Sequence, residues 1–153
     1  MARRFGAAVE FDENTLYGRI EERSGAIYLN AETATFDVLA HEVSHMRFAR
    51  AMGKWGTGNS LTSFELNLME AIGYWGTYRK ALATSMSSDV ARLHASIGPA
   101  FAQSAIQAMR YGWPQVRQSL DRAVSVFGRP YIESSLRFDG LGMSRRKRFC
   151  FWP

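Results

Sequence analysis

The period of the apolar positions along this chain changes near residue 30. Before it, Phe5 to Phe11, Leu16 to Glu22 and Ala26 to Asn30 carry partial two-residue alternation and read as short strands. Asp12-Glu13-Asn14 and Arg23-Ser24-Gly25 separate them. Gly25 offers the positive φ that a tight hairpin between the second and third segments requires. Asn30-Ala-Glu-Thr then leads into a helix, with Thr33 or Thr35 as its N-cap, and the helix reaches about Ala51 with Gly53 as its C′ residue. Apolar residues occupy two sides of it. Val38, Phe48 and Met52 lie on one and Leu39, Val43 and Met46 roughly opposite, the pattern of a helix packed between layers.

A glycine-rich loop, Lys54 to Ser60, follows. Thr62-Ser-Phe-Glu65 has the spacing of a capping box and opens a second helix through Leu66, Leu68, Met69, Ile72 and Trp75 to about Leu82. Ser85 to Asp89 interrupts the pattern, which predicts a short helix over Asp89–Ile97. Gly98-Pro99 starts another to about Tyr111, and Gly112-Trp113-Pro114 one more to about Phe127. Beyond Gly128-Arg-Pro130 the periodicity fades into a tail, about 140–153, that is basic and then aromatic. The predicted architecture is α+β in a single domain over 1–153: a short N-terminal antiparallel sheet packed on a central helix, and a mainly helical C-terminal half.

Composition adds little that is specific. The 153 residues are 46% hydrophobic and 22% charged, enough apolar surface for one core and no sign of general disorder. The lone cysteine, Cys150, excludes an internal disulfide and has no base beside it to make it a nucleophile. No apolar run is long enough to span a bilayer, and Met1-Ala-Arg-Arg-Phe-Gly is too short and polar for a signal peptide. The expected location is therefore cytoplasmic, or exported without a classical signal. A net charge of +5 and the Arg-Arg-Lys-Arg run at 145–148 permit contact with nucleic acid, but a solvated basic surface explains both. Gly56 and Gly58 form no phosphate loop, because no lysine follows in frame and no strand precedes.

The distinctive chemistry lies inside the first helix, in His41-Glu42-Val43-Ser44-His45. Residues four apart share a helix face, so both imidazoles can reach one metal ion, and Glu42 stands at the edge of that face, where it can deprotonate a metal-bound water. The chain holds three histidines and two of them are here. In an apolar helix two imidazoles and a carboxylate need partners, and a metal supplies one.

This pattern, with a strand-like segment before it and an acidic helix after it, resembles the zincin metallopeptidases over residues 16–80. The metzincin extension is absent: Phe48 stands in place of its glycine and Ala51 in place of its third histidine. The resemblance is therefore to gluzincin-like sites, which implies one zinc ion held by His41, His45 and a carboxylate from the next helix. Glu70 and Glu65 compete for that role. They are five residues apart, about 140° around a helix, so both are not expected at one ion. Glu65 follows His45 by the spacing familiar in thermolysin-like enzymes but is accounted for as the third residue of the capping box. Glu70 lies in mid-helix among apolar residues, where a carboxylate is costly unless paired or ligating, and Glu70-Ala-Ile-Gly73 resembles the glutamate segment of those enzymes. Glu70 is the preferred ligand and Glu65 the alternative, although Tyr74 stands where an acidic partner is expected.

The implied activity is zinc-dependent hydrolysis of peptide bonds in a protein substrate, with Glu42 as general base. Tyr74 and His94 are candidates to stabilise the oxyanion, as are Tyr111 and Tyr131 by residue type. Ala26, Ile27, Tyr28, Leu29 and Asn30 would form an edge strand that pairs with an extended substrate. Small zincins of this kind resemble the metallopeptidase domains of bacterial toxins, translocated effectors and mobile elements. The alternative is a non-catalytic, zinc-stabilised binding domain that contacts protein or nucleic acid through its basic surface.

Overall fold

The computed structural model describes residues 6–83 and 88–138. The basic and aromatic tail, Cys150 and the run at 145–148 lie outside the described residues. The fold is α+β, with three strands, β1 (Ala8–Phe11), β2 (Gly18–Glu21) and β3 (Ala26–Leu29), followed by five helices. These are α1 (Phe36–Ala51), α2 (Ser63–Ala83), α3 (Ser88–Tyr111), α4 (Trp113–Phe127) and α5 (Arg129–Arg137). They fall into two compact units that divide between Thr62 and Ser63.

In the first unit the sheet has the order β1-β3-β2, with β1 parallel and β2 antiparallel to β3. It is thus mixed and not wholly antiparallel. The reason lies in β3, whose Ala26, Ile27 and Leu29 are buried while every residue of β1 is exposed. The most buried strand takes the centre, where both of its edges are hydrogen-bonded, and the more exposed strands take the outside. The expected hairpin joins β2 to β3, with Gly25 at φ +81 and its N–H bonded to the Glu21 carbonyl.

The two sheet faces differ. Ile27 and Leu29 pack with Val43 and Met46, flanked by Ile20, Val38, Leu39 and Trp55, so α1 closes one face. The other carries the cross-strand row Glu10, Tyr28 and Arg19, with the Arg19 guanidinium 4.1 Å from the centre of the Tyr28 ring. Burial pushes the Tyr28 hydroxyl above its ordinary value, and the carboxylates of Glu10 and Glu21 add to this. The Asn14 backbone N–H, and then the Arg19 guanidinium at 3.1 Å, hold the Asp12 carboxyl below its usual range. The glycine-rich loop after α1 docks on the hairpin: Gly56 N–H bonds the Glu22 carbonyl and Gly58 N–H the Arg23 carbonyl. Positive φ at both glycines allows that path.

The second unit departs from the sequence reading in two places. The helices expected over Asp89–Ile97 and from Gly98-Pro99 onward are one continuous helix, α3, with Pro99 inside it. Gly98 acts here through space and not as a break. A Cβ at this position would lie 2.2 Å from Phe138 Cε2 and 3.0 Å from Tyr74 Cβ, so only glycine lets α3 pass this close to its neighbours. The packing these contacts create outweighs the hydrogen bond that proline forfeits. The second departure is α5, where the pattern had faded. Pro130 in its first turn, an Arg129–Glu133 ion pair at 2.9 Å and an inward stripe of Ile132, Ser135 and Leu136 explain the helix.

Gly98→Ala tests this crossing. An exposed helix would gain about 1 kcal/mol from the change. Overpacking against Phe138 is expected instead to cost about 2 kcal/mol or more, read as a lower melting temperature; a stabilised variant would contradict the close approach.

Candidate metal centre

Local chemistry sets where α1 starts and stops. Thr35 is extended and its hydroxyl accepts the Val38 N–H at 3.3 Å, Asp37 sits in the first turn and Arg50 in the last, and Gly53 follows the cap residue Met52 at φ +68. With these ends fixed, the sheet takes the face bearing Val38, Leu39, Val43 and Met46. The four-residue repeat then puts His41 and His45 together on a different face, and Glu42 between the two.

The geometry is that of a ligand cluster. The two imidazole rings lie 4.4 Å apart, edge to face at 67°. Glu42 Oε2 is 3.4 Å from His45 Nδ1 across one turn. One ligand atom from each of His41, Glu42 and His45 falls within 4.8 Å of the others, and among the described residues no other group of three or more such side chains converges in this way. His45 and Glu42 are 4% and 5% exposed, and His41 is half-buried.

Two observations bear on whether the group suits a cation. Two imidazoles with a carboxylate beside them form the nitrogen and oxygen donor set that zinc and related transition metals take. Glu42 Oε2 is also fully buried and accepts no hydrogen bond among the described residues. A buried carboxylate oxygen in that state carries a desolvation cost that a nearby cation removes. The three residues could therefore hold a metal ion.

The candidate third ligands and oxyanion donors belong to the second unit. Glu65, on α2, is 4% exposed and its Oε1 accepts the Ser119 hydroxyl of α4 at 2.8 Å, so it is tied into the packing of its own unit. Glu70 is half-buried in the middle of α2. Tyr74 lies one turn further along, stacked on Phe101 with ring centres 5.7 Å apart and tilted against His94 at 5.3 Å. The Tyr131 hydroxyl reaches the Ile72 carbonyl at 3.5 Å, and Tyr111 is 81% exposed.

One expectation is overturned. Ala26–Asn30 is not an edge strand, since β3 is the middle of the sheet and both its edges are bonded to β1 and β2. It cannot pair with a substrate. The strand at the margin of the sheet next to α1 is β2. There Gly18 lies against Glu42, which the sequence reading had passed over as one position in a strand. An isolated glycine within a strand pattern was the available signal, since it marks a close backbone approach.

No protein-family model, curated protein or solved structure matches this chain. The metal centre rests on its own geometry.

Because Glu42 Oε2 is buried, accepts no hydrogen bond among the described residues and approaches His45 Nδ1 only to 3.4 Å, charge removal should stabilise the metal-free protein. Glu42→Gln, unfolded in the presence of a chelator, is expected to melt higher by about 3 °C, corresponding to ~1 kcal/mol. A lower melting point would mean that the carboxylate is already satisfied without an ion.

Proposed function

We propose that this protein is a zinc-dependent endopeptidase. The observation that carries the reading is the convergence of His41, Glu42 and His45 on one helix, with a Glu42 oxygen that is buried and takes no hydrogen bond. His41 and His45 would hold the ion. Glu70 would complete the set, with Glu65, whose Oε1 accepts the Ser119 hydroxyl, as the alternative.

A bound zinc ion supplies Lewis acidity, polarising a carbonyl and acidifying water. The protein's own groups do the rest. Glu42 takes the proton of the attacking water and passes it to the departing amine, the shuttle that a carboxylate shielded from bulk solvent performs well. Tyr74 and His94, in contact with each other, remain the candidate donors to the oxyanion. An extended peptide would pair along β2, Gly18–Glu21, which is bonded to β3 on one side only. The toxin or effector setting rests on the resemblance of the motif alone.

Cleavage of an unstructured protein such as casein by the zinc-loaded chain tests the reading. Glu42→Gln should retain one equivalent of zinc while losing turnover by about a thousandfold, in the range of general acid–base effects. Glu70→Ala should weaken zinc binding by more than about a hundredfold and Glu65→Ala far less. Full activity in Glu42→Gln would remove the base. Zinc binding without cleavage by the unaltered protein would favour the non-catalytic binding domain.

A further inference from the structure

Gly18 opens β2, opposite Leu29 on β3. Its φ is not among the positive values that explain Gly6, Gly25, Gly53, Gly56, Gly58 and Gly128, so its backbone conformation does not require glycine. Space does. A Cβ here would lie 2.9 Å from Val38 Cγ1, 3.0 Å from Glu42 Cγ and 3.1 Å from Leu29 Cδ2. The missing side chain leaves a notch in the strand, and the aliphatic stem of Glu42 occupies it.

Glu42 is therefore held at both ends. Its stem lies in the notch, and its carboxylate reaches His45 Nδ1 at 3.4 Å. Val38 and Glu42 are one helical turn apart and both meet Gly18, so the notch also sets how close α1 comes to β2. A methyl group in the notch would meet packed carbon atoms on three sides. Of these, the Glu42 stem can give by rotation about its own bonds, which draws its carboxylate away from His45 Nδ1.

We infer that Gly18 is a positioning residue for Glu42: the absent side chain seats the glutamate stem and keeps its carboxylate beside His45. The inference builds on the proposed peptidase reading, because Glu42 is the base there. It makes Gly18 necessary to turnover without any contact with the reacting atoms. A Cβ at 3.0 Å obliges the stem to give by a few tenths of an ångström, and since about 1 Å at such a group costs about a hundredfold in rate, the expected loss is about fivefold to tenfold.

Gly18→Ala alone would mix this effect with strain against Val38, so the decisive protein is Gly18→Ala/Val38→Ala, which removes the closest clash and leaves the one with Glu42. Val38→Ala serves as its control. The first readout is a crystal structure of the metal-free double variant. The expected result is a Glu42 stem shifted away from β2 by a few tenths of an ångström or more and a separation from His45 Nδ1 longer than 3.4 Å; a stem and carboxylate still in place overturn the inference, whatever the protein's activity. The second readout is kinetic. Against the Val38→Ala control, kcat should fall about fivefold to tenfold, with KM and zinc affinity within about twofold. Displacement of Glu42 with kcat unchanged also overturns it. Should the unaltered protein bind zinc and cleave nothing, the peptidase reading fails on that result alone, and the role of Gly18 in turnover falls with it, while the crystal structure still decides what seats Glu42.

Discussion

Burying a carboxylate and an imidazole side by side in an apolar helix is the costly act in this structure. Glu42 and His45 are almost wholly removed from water, and one Glu42 oxygen is buried without a hydrogen bond. Each group so placed forfeits several kcal/mol of hydration unless a partner compensates. The surroundings hold the arrangement in place: the Thr35 cap sets the register of α1, β3 and β2 clamp its apolar face, and the glycine at the head of β2 gives the Glu42 stem its seat. Beyond the 3.4 Å approach of His45 Nδ1, the buried Glu42 Oε2 keeps part of its desolvation cost. A cation would relieve it. The case for a metal at His41, Glu42 and His45 therefore rests on the energetics of the helix as well as on a five-residue match.

Much of this was legible in the chain itself, where strong local signals agreed. Thr35 caps α1 through its hydroxyl, Gly53 and Gly25 supply the positive φ that ends α1 and turns the β2–β3 hairpin, and Gly112-Trp113-Pro114 opens α4 with proline in its first turn. The histidine pair was legible for the same reason, since a four-residue spacing needs only a helix to bring two rings together.

What could not be read depends on contacts distant in sequence. Gly98-Pro99 is locally a helix breaker, and only its approach to Phe138 and Tyr74 turns the glycine into a packing device within an unbroken α3. Strand order is similarly non-local. Ala26–Leu29 has the most apolar pattern of the three strands, and that places it in the middle of the sheet, whereas a substrate-pairing role needs a margin. Gly18 belongs with these cases. Its meaning comes from Val38 and Glu42, more than a dozen residues away. Glu65 shows the reverse: its local sequence accounts for it as a cap, and the fold adds a second structural tie through Ser119.

Metal stoichiometry decides whether His41 and His45 hold one metal ion. The purified protein, dialysed against zinc and measured by elemental analysis, should carry one equivalent, while His41→Ala and His45→Ala, folded by circular dichroism, should each carry almost none. Equal zinc content in all three proteins, or none in the unaltered one, would contradict a shared ion at these residues.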